Sequence, residues 1–144
     1  VHGEWNKKQL IVDLNLLKRS DVDGKKKVSV VKDSNNSGNA KKSRSVFFLK
    51  KNFKNFTFLE VKLITGRTHQ IRVHMSYAGH ALIGDQIYSR RRKLAGPHSD
   101  VAKEFPRQAL HAASLGFRHP ISGRDMYFKA PVPVDMLDLM SAMD

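Results

Sequence analysis

The feature that most constrains the fold is a strand, a tight turn and a helix that follow one another without a linker. Apolar and polar residues alternate over residues 56–63, as in a half-buried β-strand. Gly66 ends this pattern, and Thr68 is the predicted N-cap of a helix, because its hydroxyl can accept an unpaired N–H of the first turn. A buried stripe at helical spacing follows: Ile71, Met75, Ala78. The stretch therefore predicts a helix that packs on a sheet.

Four polar side chains crowd the first turn of this predicted helix: Arg67, His69, Gln70, Arg72. The start of a helix presents free N–H groups and a positive potential, both of which favour an anion. A solvated basic turn would show the same spacing. Packing alone, however, does not require so many polar groups, so this turn is the candidate site.

The composition points to a polyanionic partner. The 144 residues, about one domain's length, include 26 Lys and Arg against 13 Asp and Glu, a net charge of +13. Charge alone does not separate RNA from DNA, an anionic membrane surface or a merely solvated basic protein. No 18-residue apolar run and no secretory signal is visible, so we expect a cytoplasmic protein and no membrane partner. The lack of cysteine excludes a thiolate zinc site.

The ten residues 65–74, Thr-Gly-Arg-Thr-His-Gln-Ile-Arg-Val-His, resemble the signature of the RluA-type pseudouridine synthases. The resemblance implies an enzyme that isomerises uridine in large-subunit ribosomal RNA without metal or cofactor. It also implies that Arg72 orients a catalytic aspartate and that Ile71 forms an apolar floor under the target base. We expect RNA contacts from eight side chains: Arg67, His69, Gln70, Arg90, Arg91, Arg92, Lys93, Arg107.

Two later segments match the same family. Gly84, Asp85 and Tyr88 fit a Gly-Asp-x-x-Tyr-Gly element, although Ser89 stands where the family has its second glycine, which leaves the backbone angle there in question. Residues 105–120 resemble the family's Arg-Gln-Ala-Leu-His-Ala and His-Pro block. Asp85 could be a nucleophile, but we favour a structural role in which it holds the turn or a nearby arginine.

The remaining pattern predicts an α+β fold: a mixed, antiparallel-rich sheet with one central helix and a C-terminal helix. The resemblance implies that residues 1–144 are a single partial domain, the second half of a pseudouridine synthase catalytic domain. Aromatic residues in the strand pair 45–50 and 55–64 should pack inside. The last helix should pack through an apolar stripe: Met136, Leu139, Met140, Met143.

Three segments carry more specific expectations. Residues 33–45 are polar and predict a mobile loop, and residues 89–104 predict a basic insertion that is either a solvated loop or a phosphate contact. Alternating residues over 110–117 predict a strand that is buried on both faces, followed by a turn and a returning strand.

The family's nucleophile lies in a Gly-Arg-Leu-Asp segment that is absent from the 144 residues. Gly123-Arg-Asp125 lacks the leucine and falls in a predicted turn, so we reject it. We therefore expect the chain to be inactive alone, with the N-terminal half of the enzyme as its partner.

Other functional classes remain as alternatives. The main one is a non-catalytic, basic RNA-binding module on the same scaffold. A DNA-recognition helix fits poorly, since the central helix is too apolar and too closely tied to a strand. Zinc is disfavoured because His69, His74 and His80 lack the i, i+4 spacing that places two imidazoles on one helical face.

Overall fold

The computed structural model describes residues 1–20, 24–32, 38–89 and 96–144. The strands and helices in these ranges follow in chain order: β1 (Gln9–Ser20), β2 (Lys26–Val31), β3 (Lys41–Phe53), β4 (Phe56–Leu63), α1 (Gln70–Tyr77), α2 (Ser99–Glu104), β5 (Ser114–Arg118), β6 (Asp125–Lys129), α3 (Val134–Ser141). Strands β1 to β4 form one sheet in the order β2-β1-β3-β4, and β5 and β6 form a separate hairpin. Every pairing between these strands is antiparallel.

Helix α1 lies against one face of the four-stranded sheet. Alternation along β1 places Val12 and Leu16 on this face, and both are buried. The register pairs Leu14 with Ser43 and Leu10 with Phe47, so alternate residues of β3 share the same face. Ser43 and Ser45 of β3 lie on this face, are buried, and are hydrogen-bonded to His74 and Gln70 of α1.

Two main apolar clusters form the core. The first joins α1 to the sheet: Trp5, Val12, Phe47, Met75, Leu82. The second joins the β3–β4 hairpin to α2 and α3: Phe53, Phe56, Ile83, Ala102, Phe105, Met136, Leu139, Met143. The predicted α+β class, the interior position of the strand aromatics and the packing stripe of the last helix are thereby confirmed.

The predicted loop over residues 33–45 is wrong at its C-terminal end. Strand β3 begins at Lys41, and Ser43 and Ser45 are buried under α1. Small polar residues are typical of loops, but here Ser43 and Ser45 lie on the face of β3 that packs against α1. Residues 33–37 lie outside the described part of the chain.

The predicted exposed insertion over residues 89–104 is also wrong in its second half. Residues 99–104 form α2, and Ala102 is buried against the second cluster. The basic run Arg90, Arg91, Arg92 and Lys93 lies outside the described residues, so its predicted RNA contacts stay predictions.

The strand predicted over residues 110–117 differs in both bounds and burial. Strand β5 begins only at Ser114, and each of its residues is exposed, as are those of β6 apart from the half-buried Met126. The alternation of apolar residues correctly predicted a β-strand, but it does not show whether another layer covers that strand. The turn and the returning strand are confirmed.

Candidate functional site

The turn before α1 is organised by a glutamine and not by the predicted threonine cap. Helix α1 starts at Gln70, and His69 occupies the N-cap position in a left-handed conformation with φ of 54°. The side-chain amide oxygen of Gln70, Oε1, accepts a hydrogen bond from the Arg67 N–H at 2.9 Å and another from the Thr65 hydroxyl at 2.7 Å. The prediction that Thr68 caps the helix is therefore wrong.

The other end of the same amide ties the turn to the sheet. Gln70 Nε2 donates to the Arg44 carbonyl at 3.0 Å and to the Ser45 hydroxyl at 2.9 Å. The residue is only 3% exposed, and both ends of its amide are hydrogen-bonded. The Gln70 side chain therefore holds the turn against β3, and its predicted RNA contact stays a prediction.

Arg72 projects from α1 into a buried ion pair with Asp85. Its Nε lies 2.7 Å from Oδ2 of Asp85 and its Nη2 lies 2.9 Å from Oδ1. The backbone N–H groups of Ile87 and Tyr88 also donate to Oδ1, both at 2.9 Å. Asp85 therefore holds both its own turn and the arginine, as the sequence led us to expect.

The charges of this pair are stabilised by each other. The hydrogen bond from Arg72 to Asp85 raises the pKa of Arg72. Burial alone would raise the pKa of Asp85, but the hydrogen bonds from Arg72 and from the backbone of Tyr88 and Ile87 outweigh burial and lower it. Both groups are consequently ionised near neutral pH, and the guanidinium is fixed in direction by two parallel hydrogen bonds.

Tyr88 completes the surroundings of Arg72, a role that the sequence analysis missed. The guanidinium carbon lies 5.0 Å from the centre of the Tyr88 ring, within range of a cation–π contact. The Tyr88 hydroxyl accepts the Val28 N–H at 3.0 Å and lies 2.9 Å from Nδ1 of His69. The signal was the Gly-Asp-x-x-Tyr spacing, which places Asp85 and Tyr88 on one turn but does not show what they face.

Ser89, where the family has a glycine, keeps ordinary backbone geometry. It is absent from the described non-glycine residues with positive φ, which are Asn55, His69 and His98. Its hydroxyl donates to the Asp85 carbonyl at 2.7 Å. The serine therefore closes the turn with a side-chain hydrogen bond and needs no left-handed conformation.

A cavity of about 290 Å³ opens beside the ion pair. Its described lining consists of Arg72, Gly84, Gln86, Ile87, Pro106, Arg107 and Gln108. Arg72 therefore faces a cleft, although its side chain is only 11% exposed. Ile71 is not part of this lining, and it packs against the core cluster beneath α1.

Arg107 reaches the same cavity from the segment before β5. Its Nε and Nη2 each lie 2.8 Å from an oxygen of Asp135, at the start of α3. Nη1 donates to the carbonyls of Gln108 and Leu110 at 3.1 and 3.2 Å. Arg107 thus anchors α3 at the cavity, and its predicted RNA contact stays a prediction.

The other predicted site residues lie nearer the surface. Arg67 is exposed, and its Nε donates to the Lys42 carbonyl at 3.2 Å. His69 is half-buried, and its pKa is lowered by burial and then by the charge of Arg72. Across the described ranges, no group of three or more His, Cys, Asp or Glu side chains is placed to hold a metal ion. None of the helices in these ranges combines the length and the apolar content that crossing a bilayer requires.

Comparison with solved structures defines the class of fold. Human RNA Pseudouridylate Synthase Domain Containing 1 superposes with a TM-score of 0.68 over 90% of this chain and 51% of that one, at 22% identity. Human RNA Pseudouridylate Synthase Domain Containing 4 gives a TM-score of 0.69 over 94% and 56%, again at 22% identity. The architecture is that of a pseudouridylate synthase domain.

Sequence comparison identifies the family. Residues 4–77, just over half of the chain, match the family described as RNA pseudouridylate synthase. The chain belongs to this family. It is 48% identical over 101 residues to ribosomal large subunit pseudouridine synthase D of Vibrio vulnificus, covering 67% of this chain and 31% of that protein. It is 44% identical over 122 residues to the protein of the same name from Zymomonas mobilis, covering 83% and 36%. The chain thus spans about a third of the length of these relatives.

Proposed function

We propose that this chain forms the arginine-bearing half of a site that converts uridine to pseudouridine in large-subunit ribosomal RNA. The observation that carries the proposal is Arg72, which is held by Asp85 and Tyr88 at the edge of a cavity. Family membership and the names of the matched relatives support the reaction and its substrate. The isomerisation breaks the N1–C1′ bond of uridine, rotates the base and forms a C5–C1′ bond, while the C5 proton is replaced by one on N1.

Arg72 is suited to hold a second carboxylate. A guanidinium has five N–H donors, and Asp85 receives two of them in the described structure. The remaining donors can take an aspartate that enters the cavity. The positive charge would keep that aspartate ionised, and the rigid fork would fix its direction.

Asp85 itself does not act as the nucleophile. Its side chain is fully buried, with 0% exposure, and its two oxygens accept four hydrogen bonds. Attack on a sugar or base would require all of these bonds to rearrange. We therefore assign Asp85 to positioning and the nucleophile to an aspartate outside these 144 residues, because the Gly-Arg-Leu-Asp segment is absent here. On this proposal the chain alone is inactive.

Ile71 has a different place in the proposal. It lies one residue before Arg72 on α1 and packs on the core beneath that helix. An apolar floor for the target uracil would require the base to reach the face of α1 that carries Ile71. This role rests on the resemblance of residues 65–74 alone.

A non-catalytic RNA-binding module is the second candidate. The charge of +13 favours it, since a polyanion would bind the scaffold whether or not an aspartate were supplied. Formation of pseudouridine distinguishes the two candidates, because the enzyme would produce it and a module that only binds RNA would not.

The test uses the full-length protein and large-subunit ribosomal RNA transcripts, with mapping of the modified position. Arg72→Lys should reduce turnover by about 100-fold or more, because lysine is a point charge that cannot keep the forked geometry. RNA affinity should change little. Arg44→Lys is the matched control, since Arg44 forms a surface pair with Asp13 and its side chain is half-exposed.

Two other outcomes of this experiment would contradict the proposal. Equal loss of turnover and affinity in Arg72→Lys would make Arg72 an RNA anchor and contradict its assigned role. RNA binding by the wild-type protein without any pseudouridine would favour the binding module over the enzyme.

A further inference from the structure

We infer that a second hollow, at the basic end of the four-stranded sheet, binds a phosphodiester group of the RNA backbone. This inference rests on the proposed function, because it concerns the same RNA substrate. The hollow has a volume of about 260 Å³ and is separate from the cavity beside Arg72. We call it the basic hollow. Its lining includes three cationic residues, Lys18, Lys41 and Arg67, and two apolar residues, Leu16 and Val28.

Strand register explains why two lysines meet there. Lys41 pairs with Leu16 across β1 and β3, and Lys18 pairs with Val28 across β1 and β2. Directly paired residues of antiparallel strands point to the same face. Leu16 and Val28 are buried against Val73 of α1, so both lysines lie on the face that carries the helix.

The turn before α1 supplies the third cation. Residues 66–68 line the hollow, and Arg67 is held beside β3 by the bond from its Nε to the Lys42 carbonyl. Three cations from two strands and a turn therefore converge on one concave surface. None of the other described lining residues carries a negative charge: Leu16, Val28, Asn39, Gly66, Thr68.

These cations are uncompensated within the described residues. Over the ranges 1–20, 24–32, 38–89 and 96–144, neither lysine nor Arg67 forms an ion pair. On the opposite face of the sheet, by contrast, Arg44 pairs with Asp13 at 3.8 Å. A concave site with three unpaired cations attracts an anion such as a phosphodiester.

The hollow is also close enough to the candidate active site to act on the same RNA strand. Residues 66–68 line the hollow, and Arg72 follows them in the first turn of α1, which begins at Gln70. A phosphate bound in the hollow would belong to a nucleotide near the one that reacts. Its function would be to position the strand.

Alternation along the strands provides a matched control. Lys18→Ala with Lys41→Ala removes two charges from the face of the hollow. Arg19→Ala with Lys42→Ala removes two charges from the next residues, which point to the opposite face. All four side chains are exposed, so neither pair should disturb the core.

The experiment measures affinity of the full-length protein for a large-subunit ribosomal RNA fragment over a series of salt concentrations. For the Lys18 and Lys41 pair, the log–log salt slope should become shallower by about 0.7 for each phosphate that the variant no longer binds. The Arg19 and Lys42 pair should keep the wild-type slope. Inorganic phosphate at constant ionic strength distinguishes a free-anion site, which it would saturate, from a site that needs the RNA strand.

Two results would overturn the inference. Equal slope changes in the two pairs would show that only overall charge matters, and saturation by inorganic phosphate with no change in slope would assign the hollow to a free anion. Wild-type binding without pseudouridine formation would instead contradict the proposed enzyme and leave the hollow in place. Absence of any RNA binding would contradict both.

Discussion

Arg72 shows how one side chain can be both buried and chemically available. Removing a guanidinium from water is costly, and Asp85 offsets this cost through two short hydrogen bonds. The Tyr88 ring covers the guanidinium, and the Tyr88 hydroxyl is in turn held by Val28 and His69. Rotation of Arg72 would break several of these interactions at once, so its donors toward the cavity are presented in one direction.

His74 is a second buried polar residue, two positions along α1. It is fully buried, and its Nε2 lies 2.8 Å from the Ser43 hydroxyl, which donates to the Leu14 carbonyl at 2.7 Å. Its Nδ1 has no hydrogen-bond partner among the described residues. Burial lowers the pKa of His74 to about 4 and outweighs the opposing effect of the Asp13 charge.

This histidine predicts a pH-dependent stability. Its folded pKa of about 4 lies below the usual 6.5, so the unfolded chain binds more protons between these values. The free energy of unfolding should therefore fall as pH decreases from about 6.5, by about 3 kcal/mol at pH 4. Urea unfolding of the wild-type chain and of His74→Gln over this range measures the effect. A wild-type curve as flat as that of the variant would contradict it.

At the scale of elements, the turn after α1 lies in direct contact with the backbone of the segment around Arg107. Gly84 has φ of +70°, and a Cβ at this position would lie 1.9 Å from the Arg107 carbonyl oxygen and 2.7 Å from its carbon. The extended segment around Arg107 therefore passes directly over the turn that carries Asp85. Ala109 N–H donates to the Ile83 carbonyl at 2.8 Å and fixes the same crossing.

Gly84→Ala should accordingly separate these two segments. The clash is with backbone, which cannot move aside as a flexible side chain can, and φ is unfavourable for alanine. We expect a loss of about 3 kcal/mol or more in the free energy of unfolding. Gly66→Ala is the control, since no heavy atom of the described residues outside Gly66 and its two chain neighbours lies within 4 Å of its Cβ position; it should be neutral or stabilising by up to about 1 kcal/mol. Similar unfolding curves for both variants would show that the crossing is not tightly packed.

At the scale of the molecule, the β5–β6 hairpin differs from the rest of the fold. Leu115 pairs with Phe128 and Phe117 pairs with Met126, so these four residues share one face. Phe117 and Phe128 stack at 5.9 Å, yet they are 43% and 50% exposed. An exposed apolar face of this kind promotes association when charge repulsion is screened.

The 144-residue chain should therefore self-associate more strongly as salt increases, whereas its affinity for RNA should fall. Leu115→Lys, on the apolar face, should shift the chain toward monomer in concentration-dependent light scattering. Ile121→Lys makes the same chemical change in the turn, where the side chain is 92% exposed and outside the face, and should have little effect. A wild-type chain that remains monomeric in high salt would show that this face is not adhesive.

The sequence by itself determined the strand, turn and helix around residues 56–79, the apolar stripe of α3 and, through residues 65–74, the family to which the chain belongs. These follow from local periodicity and from a motif that is contiguous in the chain. The burial of individual residues could not be predicted in the same way, because the alternation of residues in β5 and in β3 does not show which face of the strand another layer covers. This is why the loop prediction failed at residues 41–45 and the buried strand prediction failed at Ser114–Arg118.

Only the tertiary structure decided which groups meet. Asp85 and Tyr88 reach Arg72 because the chain turns back after α1, and the Gln70 amide is hydrogen-bonded to Arg44 and Ser45 of a distant strand. Lys18 and Lys41 share a hollow through strand register alone. Such contacts depend on pairing between residues far apart in sequence, and local pattern carries no information about that pairing.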